Sequence, residues 1–363
     1  MPKVLIADEL SPAAVAALEE RGVAADVRTG LGEGELVQII GEYEGLAVRS
    51  ATKVSAGLLA AGTRLKVVGR AGIGVDNIDL AAATQRGVVV MNTPFGNSVT
   101  TAEHTIAMML ALARQLPAAD RSTRSGKWEK SRFVGTELAD KVLGLIGCGN
   151  IGTIVADRAH GLKMRVIASD PYLSPERAAD LGVEKVDLDA LLGRADVISL
   201  HTPLTETTRH ILDARALART RPGVRIINCA RGGLVDEAAL YEAIRSGHVA
   251  GAALDVFAEE PARASPLFEL DQVVVTPHLG AATAEAQEKV ALQIAAQMAD
   301  YLTTGAVANA LNMAPLSAEE SPRLAPYMRL ADQLGSFAGQ LTETGLRAAS
   351  ITYAGQVAHL NTT

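Results

Sequence analysis

The sequence predicts an α/β protein made of two doubly wound parallel-sheet units and a partial C-terminal α+β segment. Three observations carry that expectation. At 363 residues the chain exceeds what one hydrophobic core organises, so more than one domain is expected. Short apolar, β-rich runs alternate with segments of helical period, the pattern of crossover connections and of parallel sheets covered on both faces. Hydrophobic residues make up 48% against 21% charged, enough to fill such cores and unlike a disordered chain.

In the first unit, residues 4–7, 46–48, 65–68 and 88–91 read as buried strands, with helices over 11–21 and 55–61. Ser11 before Pro12 predicts a capped start with a first-turn proline, and Gly22 a stop. Residues 103–114 look apolar on all sides, which predicts a buried helix joining the units. A second series begins at Lys141, with strands at 142–146, 165–168, 197–201, 225–229, 252–255 and 273–276. Its helices fall at 151–161, 175–181, 187–192, 213–219 and 237–246. Residues 283–301 predict a return helix, so the first unit (1–97 with 284–308) is interrupted by the second (98–283). Beyond it, 312–326 is rich in proline, serine and charge and reads as a linker. A helix at 327–341 and strands at 348–353 and 356–360 follow, too little for a self-sufficient domain.

Composition excludes several functions. Thirty-four basic against 41 acidic residues give a formal charge of −7, with no basic run, which argues against a nucleic-acid binder. Aromatics at 3% leave no stacking platform for single strands. Cys148 and Cys229 form no Cys-x-x-Cys pair and have no histidine at ligand spacing, so neither a disulfide framework nor a metal site is expected. The N-terminus lacks a basic segment before an apolar stretch, and no apolar run approaches the roughly 18 residues of a membrane span. A protein of the reducing cytoplasm, without a membrane partner, is the expectation.

The strongest local signal is Gly147-Cys148-Gly149-Asn150-Ile151-Gly152, after a predicted strand and opening a predicted helix. Gly147 allows the tight turn, Gly149 lets backbone approach a pyrophosphate, and Gly152 lets helix and strand meet closely. The helix N-terminus offers N–H groups and a positive dipole end to that anion. Asp170, 18 residues beyond Gly152, ends the next strand, where a carboxylate bonds ribose hydroxyls and repels a 2′-phosphate. With no adjacent arginine, the expected cofactor is NAD rather than NADP.

Moving a hydride from an alcohol also requires a base near the hydroxyl and a cation for developing charge. Histidine suits the first role because its pKa lies near neutrality. Of seven histidines, His201 and His278 each follow a predicted strand, where ligands of open α/β sheets bind. His104, opening an apolar helix, reads as a satisfied core residue. Glu260 is placed to orient an imidazole, and Arg231 carries a guanidinium that forks onto a carboxylate or carbonyl. Spacing alone leaves open whether Arg231, Glu260 and His278 act together or are unrelated loop residues.

Together, residues 147–152, 228–237, 254–261 and Thr276-Pro277-His278-Leu279-Gly280 resemble the D-2-hydroxyacid dehydrogenase family. Residues 48–54, 69–79, 92–97 and 101–104 are similar to its phosphoglycerate-oxidising branch. The resemblance implies a flavodoxin-like substrate unit and a Rossmann NAD unit. It implies that His278 is the acid/base, Glu260 its carboxylate partner, and Arg231 the group that binds the substrate carboxylate and polarises the reacting carbonyl. Asn150 and Ile151 would form the pyrophosphate turn, and Asp255 would meet the nicotinamide carboxamide. His201, Thr202, Pro203, Cys229 and Ala230 would wall the cofactor, with Gly280 and Ala281 in the loop beside the nicotinamide. His201 is thereby a wall residue and not the base. On the substrate side, Arg49 and Arg70 would take a phosphate and Gly72 and Ile73 would offer N–H groups to a carboxylate, with Ser50 and Asn97 in the same motifs.

The implied reaction is NAD-dependent oxidation of 3-phospho-D-glycerate to 3-phosphooxypyruvate, the first step of L-serine biosynthesis. The alternatives are a dehydrogenase for an unphosphorylated acid such as glycerate, or an NAD(H)-sensing interaction module. The family implies a homodimer or homotetramer through the NAD unit. Trp128, amid alternating charge, then reads either as an intersubunit anchor or as packing on its own unit. Residues 309–363 would be a linker and the start of a C-terminal intervening or regulatory domain, cut short.

Overall fold

The computed structural model describes residues 1–317 and 319–341, with 350, 352, 354 and 355 beyond; apart from 350 and 352, the strand pair expected at 348–353 and 356–360 lies outside the described residues. Two units emerge, residues 1–96 with the chain from 287 onward, and residues 97–286.

In the first unit, β1 (Lys3–Ile6), β2 (Ala24–Val27), β3 (Gly45–Val48), β4 (Val67–Arg70) and β5 (Val89–Met91) form a parallel sheet in the order β2-β1-β3-β4-β5. The order reverses between β1 and β3, so the connections wind both ways and helices cover both faces. One face carries Leu5, Leu46, Val48, Val68 and Val90 against Leu36, Ile40, Leu58 and Leu59. The other carries Val4, Ile6, Ala47 and Val67 against Val290, Ala291, Ile294 and Met298 of the Ala284–Thr304 helix. That helix fits because β4 has a glycine beneath it: a Cβ at Gly69 would lie 2.2 Å from Met298 Sδ. β2 has no apolar signature because it is an edge strand with no fully buried residue, and it carries Asp26.

The second unit contains β6 (Val142–Ile146), β7 (Arg165–Ser169), β8 (Glu184–Lys185), β9 (Val197–Leu200), β10 (Val224–Asn228), β11 (Val249–Leu254) and β12 (Val273–Val275). The sheet is parallel, in the order β12-β11-β10-β9-β6-β7-β8. Strands β6 and β9 are wholly buried, which is why they read as continuous apolar runs. The order reverses between them, and their carboxyl ends deliver Gly147 and His201 to the same place.

Three expectations shift. The helix expected at 103–114 is Ser98–Ala113, and it is not buried on all sides, since Glu103 and Ala107 are exposed. Its first turns escaped notice because Ser98, Thr101 and Thr105 are buried polar residues. The first helix runs Ala13–Glu19 with Pro12, not Ser11, at its cap; Ser11 Oγ only accepts from Ala13 N at 3.4 Å. The expected linker is partly helical, because a helix occupies Ser321–Leu341 and is tied back by Ser321 Oγ donating to Thr304 O at 2.7 Å. Among the described residues, no helix is long and apolar enough to cross a membrane.

Candidate active site

The turn after β6 is built by three glycines with different tasks. Gly147 has φ 92, and a Cβ there would lie 2.7 Å from the His201 carbonyl oxygen. A Cβ at Gly152 would lie 2.5 Å from the Gly147 carbonyl oxygen, so helix and strand meet backbone to backbone. Gly149 faces open space, with nothing within 4 Å of such an atom. It caps the Asn150–Gly161 helix without a side chain, so no cap side chain covers the first-turn N–H groups. Asp170 follows β7 and is fixed by two backbone donors: Cys148 N to Oδ2 and Tyr172 N to Oδ1, both at 2.7 Å. Each oxygen keeps a second acceptor site. An open glycine cradle, a helix terminus and an oriented carboxylate fit a dinucleotide.

His201, just past β9, donates its backbone N–H to Ile146 O at 2.8 Å, and its Nε2 lies 2.9 Å from Ser199 Oγ. Burial pushes the imidazole down to about 4. The ring is neutral at pH 7. Burial, then the charge of Asp255, pushes the Cys229 thiol up to about 12, against a hydrogen bond from Thr105, so no thiolate nucleophile is available.

Arg231 sits on the loop after β10. Asn228 braces that loop from both sides, its Nδ2 donating to Arg231 O at 2.9 Å and its Oδ1 accepting from Ala230 N at 3.1 Å. Arg231 Nη1 donates to Ala230 O at 2.6 Å. The next residue, Gly232, lies against the loop after β11, and a Cβ there would fall 1.7 Å from Phe257 O.

That second loop carries Glu260. Its Oε1 accepts from Phe257 N at 3.0 Å, and its Oε2 lies 2.7 Å from His278 Nδ1. An ionised carboxylate only accepts, so His278 Nδ1 carries the hydrogen and Nε2 is left to exchange a proton. Burial alone would raise the Glu260 carboxyl, but the His278 hydrogen bond, the Phe257 N–H and the imidazole charge together hold it below the usual range. The His278 side chain is 47% exposed, so its far nitrogen is reachable. Its backbone is left-handed, φ 57, with N–H donating to Asp255 O at 2.8 Å.

Asp255 lies beneath, wholly buried. Its Oδ1 accepts from Thr276 Oγ1 at 2.5 Å and Leu279 N at 2.7 Å, and its Oδ2 from Gly280 N at 2.8 Å. His104 Nε2 lies 3.3 Å from Oδ1. Burial would raise this carboxyl too, but His104, Thr276 and the Leu279 N–H hold it low. The carboxylate supports the loop that carries Gly280 and Ala281, and its Oδ2, with one donor, keeps a second acceptor site.

In the first unit Arg49 follows β3 and Arg70 ends β4. Buried Asp8 organises the turn at Arg49 and exposed Ser50, accepting from Arg49 N at 2.6 Å and from the Thr52 hydroxyl at 2.6 Å. Asn77 Nδ2 donates to Arg49 O at 2.7 Å. The Arg70 guanidinium lies over Gly72, where a Cβ would fall 1.8 Å from Nη1. The Gly72 N–H donates to Arg70 O at 2.9 Å, so the backbone donation expected there is already committed. The Ile73 carbonyl accepts from Asn92 Nδ2 at 2.6 Å. Asn97 belongs to the second unit, where it caps the Ser98–Ala113 helix with a buried Oδ1 that has no partner among the described residues. Sequence reasoning passed over Asp8, Asn228, Gly232 and the contact between His104 and Asp255. Only Gly232, in a Gly-Gly pair after a strand, gave a signal that marked it.

The model of the family described as "D-isomer specific 2-hydroxyacid dehydrogenase, NAD binding domain" matches residues 106–280, and that of the "D-3-phosphoglycerate dehydrogenase intervening domain" matches residues 323–363. A D-3-phosphoglycerate dehydrogenase of Synechocystis sp. is 47% identical over 94% of this chain and 61% of its own length. The Mycobacterium tuberculosis protein of that name is 49% identical over 99% of this chain and 67% of its own. The chain thus spans about two thirds of such relatives. A solved glyoxylate reductase of Paecilomyes thermophila superposes with a TM-score of 0.79 at 30% identity, over 85% of this chain and 98% of that one.

Proposed function

The chain belongs to the D-isomer specific 2-hydroxyacid dehydrogenase family, and on that premise we propose that it oxidises 3-phospho-D-glycerate to 3-phosphooxypyruvate with NAD. The observation that carries the reading is the 2.7 Å contact of His278 Nδ1 with Glu260 Oε2, which leaves Nε2 as the nitrogen for proton exchange, on a loop at the carboxyl ends of β11 and β12.

Residues 147–152 and Asp170 hold the cofactor, which when bound takes up the hydride from the substrate carbon. Asp170 favours NAD, since its carboxylate bonds a free ribose hydroxyl and repels a phosphate in that place. His278 Nε2 receives the hydroxyl proton, and Glu260 steadies the imidazolium that results. Arg231 holds the substrate carboxylate and the developing charge on the oxygen. For the phosphate, the first unit offers Arg49 and Arg70, with Ser50 beside them and the Ile73 N–H for a second anionic group. Trp128 and Val134 are 82% and 76% exposed, which supports assembly of copies through the NAD unit over packing of Trp128 on its own unit.

The similarity to a glyoxylate reductase supports a second reading, turnover of an unphosphorylated acid. A purely NAD(H)-sensing module would have no use for the dyad. Reduced-nicotinamide absorbance with purified protein separates the three. Phosphoglycerate with NAD should give the largest kcat/KM; a preference for glycerate favours the second reading, and cofactor binding without turnover of any 2-hydroxy acid favours the sensor.

A further inference from the structure

One face of the Ser98–Ala113 helix is polar where a helix of this burial would be apolar. Thr101, His104, Thr105 and Met108 follow the i, i+3, i+4, i+7 spacing of a single stripe. Thr101 Oγ1 donates to Gly280 O at 2.9 Å. Thr105 Oγ1 donates to Thr101 O at 2.8 Å, and Met108 Sδ lies 3.8 Å from Thr276 Oγ1. Between them, His104 Nε2 lies 3.2 Å from Thr276 Oγ1 and 3.3 Å from Asp255 Oδ1.

The protonation of His104 Nε2 follows from counting hydrogens. The single hydroxyl hydrogen of Thr276 is used on Asp255 Oδ1 at 2.5 Å. Toward His104 that hydroxyl can only accept, and the carboxylate only accepts, so Nε2 carries a hydrogen shared between them. Asp255 therefore has three close donors, Thr276, Leu279 and Gly280, the residues that bracket His278, and a longer fourth approach from this helix, the His104 N–H, which bonds Thr276 Oγ1 and stands 3.3 Å from Oδ1. A fully buried carboxylate that loses one of its donors carries a desolvation cost, and its remaining bonds shift to relieve it.

We propose that His104 is a positioning residue for the catalytic loop: through its Nε2–H on Asp255 and Thr276 it fixes the backbone of residues 276–280, and with it the aim of His278. Its influence on turnover rests on the proposed dehydrogenase reading, but its influence on the loop does not. His104 touches neither substrate nor cofactor in this account.

The test uses His104→Leu, His104→Gln and the parent protein, with no ligand added for the first measurement. Amide hydrogen exchange at Leu279 and Gly280 should quicken roughly tenfold or more in His104→Leu, and return most of the way in His104→Gln, whose side-chain N–H replaces the lost donor. With substrate and NAD, kcat should fall roughly tenfold in His104→Leu with the KM for NAD little changed, and recover in His104→Gln. Matched thermal melting confirms that each variant is folded. Unchanged exchange in a folded His104→Leu, or a glutamine variant no better than leucine in exchange and turnover, overturns the proposal. A parent protein inactive on every 2-hydroxy acid would remove the functional reading and leave the exchange result to judge the brace.

Discussion

Gly232 and Phe257 are in backbone contact: a Cβ on Gly232 would fall 1.7 Å from the Phe257 carbonyl oxygen. The loop carrying Arg231 and the loop carrying Glu260 therefore rest on each other with no side chain between them. One extra methyl must part them. We predict that Gly232→Ala cuts kcat/KM by about 100-fold or more, the scale of an ångström of misplacement among catalytic groups. Steady-state kinetics check it, with cofactor titration as the control. Near-normal kcat/KM in the variant would mean that the loops are not held in register by this contact.

The first unit has a parallel case. Gly72 has φ 147, and the Arg70 guanidinium occupies the space its Cβ would fill. Gly72→Ala strains the backbone and evicts Arg70. If Arg70 takes the substrate phosphate, oxidation of phosphoglycerate should suffer by about tenfold more than oxidation of glycerate, the worth of one charge-assisted hydrogen bond. Equal losses on both substrates would remove the phosphate role.

Asp170 has two tasks that one substitution separates from those of the glycines. In the proposed role it repels a ribose 2′-phosphate, and it accepts from Cys148 N in the glycine turn. Asp170→Ala should weaken NAD binding while narrowing its advantage over NADP, each by roughly tenfold. Calorimetric titration with both dinucleotides measures this. An unchanged NAD to NADP ratio would contradict the assignment.

His201 sets an acid limit on stability. Its folded pKa of about 4 lies below the ordinary 6.5, so the folded state prefers the neutral ring. That contribution is complete above about pH 6.5 and is lost as pH falls toward 4. Denaturant melts from pH 7 to pH 5, a window above most carboxyl titration, should show stability declining in the parent and declining less in His201→Gln. Parallel declines would show that the ring titrates normally.

Much of this was legible in the sequence because its signals were local. The glycine turn at 147–152, its following acid and the buried strands β6 and β9 are fixed by neighbours a few residues away. The Arg231, Glu260 and His278 set was different. Spacing could not join three loops, and only family resemblance did so before the fold brought Glu260 to His278. Asp8, Asn228 and the partner of His104 stayed hidden because each is a polar residue whose value lies in a distant backbone or carboxylate. The helix at Ser98 was missed at its start for the same reason, since its buried threonines do not read as a core face. Gly72 looked like an N–H donor until the turn showed its hydrogen already bonded to Arg70 O.

His278 is the proposed proton acceptor, and single-turnover reduction of bound NAD by 3-phospho-D-glycerate tests that most directly. His278→Ala should bind NAD as the parent does and reduce it at least ~100-fold more slowly, the contribution expected of a positioned general base. Reduction at the parental rate, or a loss of rate matched by an equal loss of NAD affinity, would contradict it.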